Sequence, residues 1–152
     1  LEILGCFCDK PRTAFHRRTK TGPLDEDYGE LRTWKLNPRG NQQFTGPMVL
    51  LTCDSVFSGG EVFALVAREL PHLKIIGEHT NGIFSYQYDQ RLPNGRMFCL
   101  SNQQYFSPNM VCYEGRGVPV DVEHLNTRAD LETGVDSLLI KAFENLRSRQ
   151  VG

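Results

Sequence analysis

The sequence has no excess of either charge sign, since 17 Lys and Arg stand against 18 Asp and Glu for a formal net charge of −1. That balance leaves no overall field to gather a polyanion or an anionic membrane face, which argues against a nucleic-acid binder. Long hydrophobic runs are missing as well. The longest, Met48 to Leu51 with its neighbours, is strand-sized and falls far short of the roughly 20 residues that cross a bilayer, so neither a membrane span nor a signal peptide is expected. The five cysteines, Cys6, Cys8, Cys53, Cys99 and Cys112, are odd in number, which excludes a complete disulfide framework. Three of them sit inside apolar stretches, where cysteine acts as a small hydrophobe. Cys6 and Cys8 stand too close for a usual zinc clip and have no downstream Cys-x-x-Cys partner, so no metal is expected, and no cofactor either. Internal repeats and low-complexity tracts are absent.

What is present suits one domain: 152 residues, 39% of them apolar, can bury a core without disulfide or metal staples. The two ends differ in character. Residues 1–46 read as an irregular, polar lead-in, with a basic cluster (Lys10, Arg12, His16, Arg17, Arg18, Lys20) followed by an acidic patch (Asp25, Glu26, Asp27, Glu30). Opposite charges on one long loop point to solvated surface. So long a stretch of weak structure is odd in a compact domain, and suggests either a functional lid or a chain whose partner segments lie outside it.

From Gly46-Pro47 onward the pattern sharpens. Met48-Val49-Leu50-Leu51-Thr52-Cys53 is the continuous apolar run of a doubly covered strand. A helix is expected next, opened by Ser58-Gly59-Gly60-Glu61, carrying Val62, Phe63, Val66 and Leu70 as its buried stripe and closed by Pro71. Leu73 to Gly77 is a second buried strand, so residues 47–77 make a strand, helix, strand unit, most simply a right-handed parallel crossover. Residues 84–92 and 96–101 alternate as strands around the turn Pro93-Asn94-Gly95, which predicts a hairpin. Short extended pieces follow at Tyr105, 110–113 and 118–122. Val135, Leu138, Leu139, Ala142, Phe143 and Leu146 recur at helical spacing and predict a closing helix docked on the sheet.

The informative turn is the one after the first buried strand. Ser58 and Glu61 can form a capping box, in which the hydroxyl accepts from the third helical N–H while the Glu reaches back, worth about 1 kcal/mol. Against that stands Gly59-Gly60, two poor helix formers that cost roughly 1 kcal/mol each relative to alanine. Glycines there suit a backbone that something approaches closely, as a substrate carbonyl does when the N–H after a nucleophilic serine helps to form an oxyanion hole. The helix N-terminus also favours a developing anion. Sequence pattern leaves the cap and the nucleophile both open.

Several segments, in order, are similar to the tail-specific (C-terminal-processing) serine peptidases, a family that includes the tricorn core protease. Ser58-Gly59-Gly60-Glu61 resembles the serine motif, and Gly46-Pro47-Met48-Val49-Leu50-Leu51 the strand before it. Gly77-Glu78-His79-Thr80-Asn81-Gly82 resembles the family's Gly-Glu-x-Thr-x-Gly loop, Leu92-Pro93-Asn94-Gly95 its hairpin turn, and Glu114-Gly115-Arg116-Gly117-Val118-Pro119-Val120-Asp121 its Glu-Gly-x-Gly-Val-x-Pro-Asp segment. The resemblance implies an α/β fold with a Clp-protease/crotonase-like core, Ser58 as nucleophile, the Gly59 N–H as an oxyanion donor, and peptides or proteins as substrates.

One branch of the family takes its base from a lysine after the Gly-Glu-x-Thr-x-Gly loop, where this sequence has Ile83, which cannot accept a proton. The tricorn-like branch uses a serine, histidine and glutamate relay, and Glu114 falls where the resemblance places its glutamate; the alternative for Glu114 is a solvent-facing loop acid. Neither the family's histidine motif nor its Asp-x-Arg-Gly-Asn-x-Gly-Gly loop, which implies the second oxyanion donor, is matched, and His16, His72, His79 and His124 sit outside that motif. The expectation is therefore that residues 47–152 form the C-terminal part of a serine peptidase domain, feeble without an N-terminal part of the same polypeptide. The rival expectation is a non-catalytic binding module on the same fold. Many relatives implied by the resemblance work in the cell envelope, the unpaired cysteines suit a reducing interior, and oligomeric state is left open.

Overall fold

In the computed structural model, which describes residues 1–149, the chain runs α1 (Glu2–Gly5), β1 (Arg12–Thr19), β2 (Arg32–Leu36), β3 (Met48–Thr52), α2 (Gly59–Ala67), β4 (Leu73–Gly77), β5 (Gln87–Arg91), β6 (Met97–Ser101), β7 (Gln103–Phe106), β8 (Val122–Glu123), α3 (Arg128–Thr133) and α4 (Ser137–Ser148). The apolar run at Met48 is β3, and it pairs in parallel with β4 from Met48↔Leu73 to Thr52↔Gly77. β8 adds to the other side of β4, also in parallel. Between β3 and β4 lies α2, as the alternation of apolar runs predicts. Its buried positions are not a stripe: Ala64, Leu65, Val66 and Ala67 are consecutive and all inaccessible, while Val62 and Phe63 are half-buried. A helix apolar on every side is one enclosed by the rest of the fold.

Residues 1–46 depart from the irregular segment expected of them. β1 and β2 pair antiparallel, and β1 also pairs with β7, so that His16 lies opposite Phe106 in a three-stranded sheet of order β2-β1-β7. Phe15 stacks on Trp34 at 5.1 Å between ring centroids and meets Tyr105 at 5.5 Å. Leu4, Cys8, Ala14, Phe15 and Leu36 belong to one buried cluster with α2. The charges misled because two of the arginines are not solvated tips: the Arg17 guanidinium lies over the Trp34 ring and that of Arg18 over Tyr28.

The hairpin forms as expected, with β5 and β6 paired from Gln87↔Ser101 to Arg91↔Met97. Gly95 takes φ +84° in its turn, and Arg96 N–H donates to Asn94 Oδ1 at 3.1 Å. The closing helix also forms, behind α3, whose Thr127 and Asp130 make a capping box. Its docking is looser than the spacing suggests. Ala142 is the buried residue of α4, whereas Leu139 and Phe143 are 42% and 51% exposed. Arg149 ties the helix end down by donating to the carbonyl of His72 at 2.8 Å. All five cysteines are free thiols; only Cys8 is fully buried, and Cys53 and Cys99, in apolar runs, are exposed. Among the described residues no helix is long and apolar enough to cross a membrane.

Candidate active site

Ser58 stands between the end of β3 and the start of α2 with φ 54° and ψ −117°. A side chain with a Cβ rarely adopts that conformation, which costs on the order of 1–3 kcal/mol. Its hydroxyl makes no capping hydrogen bond, so the capping box does not form. Instead the Ser58 N–H donates to the carbonyl of Ile83 at 2.7 Å. The bend leaves Ser58 exposed, on the wall of a cleft of about 290 Å³ that Phe57, Ile83, Ser85, Tyr86 and Asp89 also line.

The two glycines after it differ. A Cβ on Gly60 would stand 2.7 Å from the Val56 side chain, so packing alone explains that glycine. A Cβ on Gly59 would meet nothing within 4 Å. Nothing in the fold requires glycine there, and as the first residue of α2 its N–H has no intrahelical acceptor.

Glu61 has a different role from the capping partner expected of it. It is fully buried in the first turn of α2. One carboxylate oxygen accepts from the Thr80 hydroxyl, and the other from the N–H groups of Gly82 and Ile83, the latter at 3.0 Å. Thr80 Oγ1 in turn accepts from the Val118 N–H at 2.6 Å. The carboxylate under α2 therefore fixes residues 80–83, which hold Ser58 by its N–H, and through Thr80 the loop after Glu114. Gly117, at φ +78°, lies so close that a Cβ there would reach 1.8 Å from the Thr80 carbonyl. The sequence offered only an acid one helical turn past a serine, and the cap pattern accounted for the same two residues.

Glu114 is half-buried rather than solvent-facing. Its Oε2 accepts from the Phe84 N–H at 3.1 Å. The carbonyl of Ile83 and the N–H of Phe84 belong to one peptide group, so a single peptide holds Ser58 on one side and Glu114 on the other. Hydrogen bonds of 2.7 and 3.1 Å with one peptide between them set the Ser58 nitrogen and the Glu114 carboxylate roughly 8 Å apart at most. Burial pushes the Glu114 carboxyl above the ordinary range; the Phe84 N–H opposes this, the charge of Glu61 adds to it, and the Ser85 N–H again opposes it.

No histidine lines the cleft among the described residues. His16 bonds Thr33 across the β1–β2 ladder, the His79 ring turns to the Thr80 carbonyl, and His124 bonds Ser137. The Nε2 of His72, beyond the end of α2, is buried without a partner, and burial lowers its pKa. Among the described residues no three His, Cys, Asp or Glu side chains converge where they could hold a metal ion.

Residues 1–124 match the family model described as Peptidase family S41. No curated protein matches the sequence. Among solved structures, a candidate peptidase from Parabacteroides merdae is 24% identical with a TM-score of 0.88, covering 95% of this chain and 45% of that one. Mature CPAF in complex with lactacystin is 15% identical with a TM-score of 0.79, over 97% of this chain and 40% of its own. The tricorn protease is 20% identical with a TM-score of 0.58, over 95% of this chain and 13% of its own. The chain thus spans less than half the length of each of these structures, with which it shares a mixed α/β fold.

Proposed function

Because the chain belongs to peptidase family S41, we propose that it carries the nucleophile of a serine peptidase, with Ser58 attacking the carbonyl of a peptide bond. The observation that carries this reading is the backbone of Ser58: a non-glycine residue at φ 54° at the mouth of a helix, with its hydroxyl uncommitted, beside a cleft. Strain of this kind persists where the surrounding structure over-determines it, and it aims a serine outward at a strand-to-helix turn.

In this mechanism the Gly59 N–H is one donor to the oxyanion that forms as Ser58 Oγ adds to the carbonyl carbon. Glu114 orients an imidazole that takes the serine proton and later returns it to the leaving amine. Ile83 stands where the alternative dyad would need its lysine, and Lys74 pairs with Asp121 at 3.4 Å rather than lining the cleft. That imidazole is none of the four histidines here, and we assign it, with the second oxyanion donor, to residues outside 1–152. Since removal of one oxyanion donor alone costs about 3 kcal/mol, residues 1–152 by themselves should turn over feebly.

The lack of an imidazole at the cleft favours a second reading, a non-catalytic module that binds peptide or protein on the same fold. A fluorophosphonate probe offered to the complete polypeptide separates the two. Labelling in the wild type that is lost in Ser58→Ala supports the peptidase; no labelling between about pH 6 and 9, the range in which an imidazole base would act, supports the binder.

A further inference from the structure

We propose that the face shared by β1 and β2 is a binding site for an oxyanion, a carboxylate or phosphate group, separate from the Ser58 cleft. Arg17 and Arg32 lie directly opposite each other in the β1–β2 register. Like charges in that position are destabilising, and among the described residues no carboxylate comes within 4.0 Å of either guanidinium. The fold nevertheless holds one of them still. The Arg17 guanidinium lies 4.4 Å from the Trp34 ring centroid and 5.8 Å from that of Tyr105, and donates to the Tyr105 hydroxyl at 3.4 Å. A guanidinium has five N–H donors in a planar fork, so this leaves most of them free and already oriented.

Beside this pair is a cavity of about 230 Å³ walled by Arg17, Arg32, Trp34, Thr19, Thr21 and Glu30. It shares no wall residue with the Ser58 cleft. Its volume is below the 300–1,000 Å³ of drug-sized sites, which suits a single charged head group rather than a nucleotide. Two guanidiniums, one fixed on aromatic rings, match a carboxylate or phosphate through paired N–H···O bonds, and such a ligand removes the repulsion that the register imposes. Glu30 is exposed and forms no ion pair with either arginine; its charge opposes the ligand and sets the affinity low.

Trp34 is the single tryptophan of the sequence and sits in the wall, so its emission reports on this site. Inorganic phosphate and N-acetylglycine are titrated separately into the full chain at ionic strength held constant with chloride. A saturable change in Trp34 emission with either is expected; phosphate alone identifies a phosphate group, and N-acetylglycine a carboxylate, as the chemistry read. Arg32→Gln, at an exposed position that supports no core ring, should weaken the response about tenfold or more, and Glu30→Gln should strengthen it. The proposal is overturned by a flat or non-saturating response to both ligands, by equal binding in Arg32→Gln, or by weaker binding in Glu30→Gln, which would make Glu30 the counter-ion of the pair.

Discussion

At the scale of single residues, Ser58 carries a conflict between stability and the reactivity proposed for it. Its Cβ is held at φ 54°, where glycine is at ease and serine is not. Ser58→Gly should therefore raise the urea midpoint, by about 1 kcal/mol of stability once the greater freedom of unfolded glycine is subtracted, while losing all probe labelling. Ser58→Ala keeps the Cβ and should lose labelling without the gain. Glu61 and Glu114 form a second pair of linked residues. The folded-state pKa of Glu114 is raised, first by burial and in part by Glu61. The stability linked to its protonated form is thus present at pH below the unfolded glutamate value and is lost as pH rises through the folded one. Glu61→Gln removes a charge and should move the Glu114 midpoint downward, read from its carboxyl carbon resonance in a pH titration. Glu61→Ala, which strands the Thr80 hydroxyl and two N–H groups, should cost about 3 kcal/mol or more.

At the scale of elements, α2 is the part that joins packing to chemistry. Its flank is sealed by Ala64 to Ala67, so its N-terminus is fixed relative to β3 and β4, and the turn before it has no freedom to relax Ser58. The neighbouring glycines of this turn should respond differently to a methyl group. Gly60→Ala forces the Val56 side chain aside and should cost about 1–2 kcal/mol. Gly59→Ala meets open space and should leave the fold unchanged or up to about 1 kcal/mol more stable, while slowing probe labelling by crowding the approach to the N–H. Thermal melts of both variants, beside labelling rates, check the contrast. The hairpin is the opposite case: β5 and β6 pair with each other alone and every β6 residue is exposed, and two strands without a third are marginal in water. Its position beside the cleft, through Tyr86 and Asp89, makes it a wall that can yield.

At the scale of the whole molecule, protection is therefore expected to be uneven. Hydrogen exchange should be slowest in β3, β4 and α2 and fastest in the β5–β6 amides, because buried apolar area, not the number of ladder bonds, sets the cost of opening. Equal rates in the two regions would contradict the fold described here. Local sequence was enough for the parts whose partners lie nearby: the β3–α2–β4 unit, the hairpin with its Asn94-Gly95 turn and α4 all announce themselves by period and punctuation. It could not give the β2-β1-β7 sheet, whose central strand pairs with residues nearly ninety positions later and whose arginines read as solvent until the rings beneath them are in place. Nor could it decide whether the cap forms at Ser58, because that turns on one φ angle and on where the Glu61 carboxylate points. The sequence alone determined which side chains were available and in what order. The tertiary structure decided that Glu61 faces inward to Thr80, Gly82 and Ile83, and that one peptide bond holds Ser58 and Glu114 on its two sides, since hydrogen bonds between residues some twenty to thirty positions apart exist only once the loops that carry them are closed.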